Sequence, residues 1–519
     1  MVRPHVFPAL LVCYGLVAQS PAAPDNAQRL SLQEAIKISL ENNLQVDIAQ
    51  ETRAYTQAGL LNAQGNFDWV LNGGLNWRRQ DTGSTSSLYT GGPLSRTDGT
   101  NWNRNLTVGA DKAFGWGGNL TLSYNPIYSY TTSVTPNGNI GYDTAGNPVI
   151  LGNSYYNTQR PYSGTFSATY TQHLLSGFGR EVTEVNVITA RKDSESANYQ
   201  FQQSIISLVA DTESKYWDLV YAQRNLDNAK IALSLAQKQL NENKIRVEVG
   251  TLAPIEVTSA EAAVAQQEQS IISAEAALLN ANDALIRALY PNKGQHPAKL
   301  DPSDSPTLSH IQLSEASAEK MALERRLELK IAKLSMESSS ARRAAAENRL
   351  KPTLDAFVSY NGNSDSYTAL SSVNSDITGS KFPGYGVGLS FSMPIGNRSA
   401  KGSVAQARAN ERSSQLSLKD KELEILLDVR RAIRNVDAAE KGVEASKKTR
   451  LFREKDLDAE QKKFENGMST NFLVLSKQND LDSARSSELQ AQITYAKAVT
   501  ALEQTVGNLL EARNLSYPK

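Results

Sequence analysis

The chain has 519 residues, with 54 Lys plus Arg against 54 Asp plus Glu and a single cysteine. That is length for two or three domains. A net charge of zero gives no support to a nucleic-acid role, which shows a basic excess, and one thiol excludes an internal disulfide framework.

The first stretch, MVRPHVFPALLVCYGLVAQSPAA, has one Arg, an apolar run from Val6 to about Ala18, then small residues. This is the layout of a secretory signal, assigned to residues 1–22. Cys13 falls inside it. A lipoprotein site would need a small residue before the cysteine, and Val12 stands there. No later segment offers the roughly 18 apolar residues of a membrane helix. Membrane contact is therefore expected through barrel strands or at the surface.

Residues 23–64 hold a first short helix, from Leu32 to about Gln64. Over residues 65–175 the period changes to two. FDWVLNGGLNW places Phe67, Trp69, Leu71, Leu75 and Trp77 on one face, opposite Asp68, Asn72 and Asn76. Leu106, Val108 and Ala110 alternate likewise, as do Leu120, Leu122 and Tyr124, and Phe166, Ala168 and Tyr170. A half-buried sheet gives this pattern, and so does a membrane barrel. The export signal and long loops rich in Gly, Ser, Thr and Asn (81–101, 131–159, 361–380) favour the barrel.

Residues 176–290 form a long helix, a bend and a return helix. The long helix, 184–249, keeps a seven-residue period, with Leu219, Leu226, Leu233 and Leu240 on one row and Ala222, Ala229 and Ala236 on the next. Its span is roughly 100 Å at about 1.5 Å per residue. After the bend VGTLAPIEV, Val257, Val264, Ile271, Leu278 and Leu285 continue the spacing of a coiled-coil seam. The plan then repeats. A linker and second short helix occupy 291–349, strands 350–396, and a second long helix, bend and return helix 397–510, with a tail at 511–519. The second strand region alternates Leu354, Ala356, Val358 and Tyr360, then Val387, Leu389, Phe391 and Met393. The second seam runs through Ile425, Val429, Ala432, Val436, Ala439 and Val443, then weakens at Arg450 and Arg453, where a change of neighbour is expected.

The duplication shows in the residues. LENNLQVDIAQ matches LERRLELKIAK at a shift of 283, and RVEVGTLAPIEV lies against KFENGMSTNFLV at a shift of 217. The first half therefore carries a 66-residue insertion between its first helix and its long one.

These features resemble the TolC family of outer-membrane efflux and secretion channels. LSLQEAIKISLENNLQVDIAQ is similar to the family's opening helix. QHLLSGFGREVTEVNVITAR and FSMPIGNRSAKGSVAQARAN are similar to its two exits from strand into long helix. The resemblance implies a mainly α fold with a transmembrane β part, built as a homotrimer. Each protomer gives four strands to a 12-stranded β-barrel in outer-membrane lipid, continued by an α-helical coiled-coil barrel across the periplasm. The short helices and tail form a belt. The implied function is the exit duct of a tripartite efflux pump or type I secretion system, with a periplasmic adaptor and an inner-membrane transporter as partners. It implies no cofactor and no nucleic acid. The bends become adaptor-docking tips: Gly250, Thr251 and Leu252 in the first, Gly467, Met468 and Ser469 in the second. Glu256, Leu473 and Ser476 become candidates for the periplasmic gate.

Three departures stand out. His173 occupies the first exit, where the family carries Pro; Pro394 fits at the second. ADKAFGWGGNLTLSY is additional and reads as an added hairpin, which leaves the count of four strands open. Leu473 and Ser476 stand where the family places acids, while the first-half tip keeps Glu256; this puts an acidic gate in doubt and leaves open an apolar constriction through Leu473.

Catalytic chemistry is not expected. His5, His173, His296 and His310 are the only histidines, and none has metal-ligand spacing. No nucleophile context, P-loop or dinucleotide fingerprint occurs. Charge runs such as FREKDLDAEQKK read as solvated coiled-coil faces. The competing reading is an exported structural or adhesive coiled-coil surface protein. The duplicated helix–strand–helix order counts against it, because a stalk places its strands at one end.

Overall fold

A computed structural model of the chain describes residues 28–87, 95–136, 140–150, 153–158, 160–291, 297, 299–306 and 313–515. The signal segment 1–22 lies outside them, with His5 and Cys13, as do His296, His310 and the tail beyond Leu515. In chain order the elements are β1 (Gln28–Leu30), α1 (Leu32–Asn42), α2 (Leu44–Gly65), β2 (Trp69–Ser87), β3 (Ser95–Ala113), β4 (Gly118–Pro136), β5 (Ile140–Tyr142), β6 (Pro148–Ile150), β7 (Asn153–Asn157), β8 (Tyr162–His173), α3 (Arg180–Thr183) and α4 (Val185–Glu248). There follow α5 (Ile255–Leu289), β9 (Leu300–Pro302), α6 (Glu315–Arg325), α7 (Leu327–Asn348), β10 (Thr353–Asn363), α8 (Leu370–Thr378), β11 (Phe382–Ser392), α9 (Arg398–Glu465), α10 (Asn471–Val506) and α11 (Leu509–Ala512).

Each expected short helix is two helices. The chain breaks at Asn43 (ψ 126°) and at Arg326 (ψ 126°), positions related by the 283-residue repeat shift. Neither break has Gly or Pro. At the first, the Asn43 Oδ1 accepts from the Gln45 amide at 2.8 Å and caps α2, while its Nδ2 donates to the Ala288 carbonyl of α5 at 2.8 Å and ties the interruption to that helix. At the second, Arg326 forks onto Glu328 at 3.1 and 2.8 Å.

The chain divides into two compact units. One holds residues up to 48, 203–325 and 425–519 and is almost wholly helical. The heptad rows read from the sequence are its core: Leu219, Ala222 and Leu226 of α4 are buried with Leu278 and Leu285 of α5 and Ile493 of α10. Burying each such Leu contributes about 1.5–3 kcal/mol. Where the α9 seam weakens, packing gives way to ion pairs. Arg450 bonds Glu488 of α10, and Arg453 meets Asp480 at 3.0 Å. The chain end is tied back by a fully buried carboxylate, Glu213 of α4. It accepts Nε and a terminal nitrogen of Arg513 at 2.5 and 3.0 Å, and the Thr500 hydroxyl at 2.6 Å.

Asp482 of α10 gives this unit a pH signature. Burial pushes its carboxyl up to about 6, and Arg485 at 3.8 Å offsets this only in part. The folded state then binds the proton more tightly than the unfolded chain does. Stability falls as pH rises through about 4 to 6 and stays lower above that. Asp482→Asn is expected to raise stability by about 2 kcal/mol at pH 7.5, with the two melting curves converging below about pH 4. A difference between the two proteins that is the same at every pH would reject this origin.

The other unit, residues 49–202 and 326–424, is built on the sheet. Its long strands lie in the order β11-β10-β8-β4-β3-β2, antiparallel throughout, and β7 pairs with the far end of β4 beside β8. Six long strands replace the expected four. The added pair is joined by the tight turn after Ala113, where the Phe114 amide donates to the Gly118 carbonyl at 2.8 Å. Gly117 sits at φ 94°, and a Cβ there would lie 2.5 Å from the Gly177 carbonyl oxygen, so only glycine fits.

Register sorts the side chains into two faces. Tyr385, Tyr360, Ala168, Leu122, Ala110 and Leu71 form one row across all six strands. The adjacent row on the other face is Gly386, Ser359, Thr169, Thr121, Asp111 and Val70. Aromatic rings mark both ends of the apolar face. Trp77 stacks on Trp102 at 6.1 Å and Tyr128 meets Tyr162 at 5.0 Å, with the Arg104 guanidinium over both Trp77 and Tyr128. At the opposite end Phe114 stacks on Trp116 at 4.6 Å, and Lys112 lies over Trp69. The eight steps from Trp69 to Trp77 cover roughly 26 Å of strand, or about 20 Å of height at a tilt of about 40°, most of the roughly 25 Å apolar band of a membrane barrel.

Candidate functional site

The two bends close the two helix hairpins in the same way. After α4 the Gly250 amide donates to the Val247 carbonyl at 3.0 Å and the Thr251 amide to Arg246 at 2.9 Å. After α9 Gly467 donates to Phe464 at 3.1 Å and Met468 to Lys463 at 2.8 Å. Both glycines are left-handed, at φ 79° and 74°. This is the helix-ending motif that satisfies the last carbonyls and needs glycine at one place. The repeat pairing is therefore exact to the hydrogen bond.

The turns differ in what they touch. Leu252 is half-buried against the cluster that Leu457, Phe464, Val474 and Leu481 form in the second hairpin. Arg246 lies 4.5 Å over the Phe464 ring. Met468 is 72% exposed and its neighbour Ser469 donates to the Glu460 carboxylate. That bond and Lys463 at 3.1 Å hold the Glu460 carboxyl below the usual range. Thr470 caps α10 by accepting the Leu473 amide.

The gate candidates fall in different places. Glu256 is half-buried and its carboxylate accepts from Asn471 Nδ2 at 3.1 Å. Asn471 Oδ1 accepts from Gln239 at 3.2 Å, and Gln239 also donates to Asn243 Oδ1 at 3.0 Å. Gln239, Asn243 and Asn471 are all buried, so this chain of amides clasps one hairpin to the other. Leu473 is 42% exposed, and Ser476 is half-buried. Neither takes part in the clasp.

The clasp residues are polar and so lie outside the apolar seams of the sequence, but the sequence carries a signal for them. Asn243 continues the row of Ala222, Ala229 and Ala236, and its repeat partner is Glu460, at the shift of 217. A polar residue on a coiled-coil seam, about two turns before a bend and in both repeats, marks a place where register is specified.

Among the described residues no group of His, Cys, Asp or Glu has the geometry of a metal site, and no helix is long and apolar enough to cross a membrane. His173 instead pairs with Asp355 at 2.6 Å across β8 and β10. A groove of 1140 Å³ between α4, α9 and α10 is floored by small side chains, among them Ala432, Ala439, Gly442 and Ala498.

The sequence pattern described as outer membrane efflux protein matches residues 129–289 and 319–508. The outer membrane protein TolC of Vibrio cholerae is 25% identical over 334 residues, 63% of this chain and 74% of that protein. The solved outer-membrane channel OprN has the same fold, with a TM-score of 0.66 at 15% identity, covering 92% of this chain and 90% of that one. The open state of the Neisseria gonorrhoeae MtrE outer membrane channel gives 0.61 at 16% identity, covering 98% of each. With both repeats matched over more than half its length, the chain belongs to the outer membrane efflux protein family: it is a channel of the outer membrane and not an enzyme.

Proposed function

We propose that this chain is the exit duct of a tripartite efflux pump or type I secretion system, working as a homotrimer with a periplasmic adaptor and an inner-membrane transporter. The strands of 65–175 and 350–396 form the barrel in outer-membrane lipid. The hairpins of 176–290 and 397–510 form the periplasmic tunnel, and 23–64, 291–349 and the tail 511–519 form the belt. The turns at Gly250, Thr251 and Leu252 and at Gly467, Met468 and Ser469 dock the adaptor. Glu256, Leu473 and Ser476 lie at the closure.

The observation that carries this reading is the sheet. Among the described residues it has one continuous apolar face, one polar face and two unpaired edges, which suits a shared barrel around water. The clasped hairpins supply the closure. Such a duct performs no covalent chemistry. The polar face lines the path, the apolar face meets lipid, and opening requires the amide clasp to part.

The test is extraction followed by conductance. The protein is expected to need detergent for release from membranes and to form ion-conducting pores in planar bilayers. Recovery of a soluble, folded monomer without detergent would overturn the duct and favour the adhesive surface protein.

A further inference from the structure

We infer that the assembled barrel of this channel has eighteen strands, six from each copy, so that its bore is about half as wide again as that of a barrel of twelve. This rests on the trimeric reading above. At a strand spacing of about 4.8 Å and a tilt of about 40°, the backbone diameters are about 36 and about 24 Å.

All six strands carry the same two faces. Leu71, Leu75 and Trp77 of β2, Leu106 and Val108 of β3, and Leu120 and Leu122 of β4 continue the apolar face of β8, β10 and β11 without a change of register. Thr107 donates to Asn125 at 3.2 Å on the polar face, and Ser123 meets Ser167 there at 2.8 Å. A hairpin standing outside a smaller barrel in water would have no use for an apolar face ringed by aromatics at both ends.

The edges point the same way. Among the described residues β2 and β11 each leave one side of their backbone unpaired, and their side chains are the most exposed of the apolar face: Leu71 81%, Val387 82%. Hydrocarbon leaves no strand edge unpaired, so a second copy must cover each. Five antiparallel steps separate β2 from β11, so the two run in opposite senses. A β11 edge therefore meets the β2 edge of the next copy antiparallel, and copies related by rotation close a ring.

The added hairpin is also fixed at its base. The His173 amide donates to the Gly117 carbonyl at 3.2 Å, and Trp116 Nε1 donates to the Tyr170 hydroxyl at 2.9 Å. Of the six long strands, four are joined at this end of the sheet to a helix: α2 leads into β2, β8 into α3, α7 into β10 and β11 into α9. The turn between β3 and β4 has no helix beyond it and rests on the strand exit at Gly177. The barrel thus holds more strands than the chain has helices to continue them.

The test is spin labelling of the mature protein in lipid nanodiscs, with copy number from native mass spectrometry. Single cysteines replace Leu106, Val108 and Leu122 on one face and Asn105, Thr107 and Ser123 on the other. Three copies, with labels on the first set exposed to oxygen in lipid and those on the second to a water-soluble nickel reagent, are expected. Three copies with both sets exposed to nickel would place the hairpin outside a smaller barrel, overturning the inference while leaving the trimer intact. Two copies would overturn the trimeric reading, and with it the count of eighteen. Counting strands in an electron-microscopy map of the unsubstituted protein gives the same decision if any variant fails to fold.

Discussion

Replacing Met468 by glutamate is expected to abolish export while leaving the assembled protein in the outer membrane. Met468 is the exposed centre of the second turn, and only its backbone is used by the fold, through the bond from its amide to Lys463. Stability should therefore change by no more than about 0.5 kcal/mol. A buried, unpaired charge at an apolar docking point costs about 2–4 kcal/mol, or roughly 30- to 1000-fold in affinity. The measurement is sensitivity of cells to a panel of pumped compounds, read beside the amount of oligomer on an unheated gel and co-purification of the adaptor. Export at the wild-type level would remove the turn from the docking surface. Leu252→Glu is the less clean experiment, because Leu252 also packs against the buried apolar cluster of the second hairpin and the charge would loosen the hairpins themselves.

Asn471→Ala should have the opposite effect, an opened pore. Asn471 is 1% exposed, and its side chain holds Glu256 on one side and Gln239 on the other. The variant leaves the Glu256 carboxylate without this donor, at a cost of about 1–3 kcal/mol to the clasped state. The open fraction should rise roughly 5- to 150-fold, seen in planar bilayers as longer and more frequent full openings. A variant that melts earlier yet gates like the parent would show that the amide chain supports the hairpins without controlling the pore.

Local pattern carried much of the fold into view. The heptad rows of α4 and α5 identified the core residues Leu219, Leu226, Leu278 and Leu285 because a coiled-coil seam is periodic in sequence. The alternation of β2, β3, β4, β8, β10 and β11 identified both faces of the sheet for the same reason. What stayed hidden depends on partners far along the chain. The break at Asn43 is held by a carbonyl 245 residues away, and the seat of Glu256 by an amide 215 residues away. The added hairpin was visible as extra sequence, but its place inside the sheet follows from pairing with β8, which no local period encodes.

The two turns share every backbone hydrogen bond described above and, from the glycine to the start of the next helix, almost none of their side chains: Gly-Thr-Leu-Ala-Pro against Gly-Met-Ser-Thr-Asn. In a trimer this gives a ring of six seats of like shape in two alternating chemistries. A partner with threefold symmetry could settle on either set. A partner built from six identical subunits would meet unlike neighbours at every step and would have to bind as three unequal pairs.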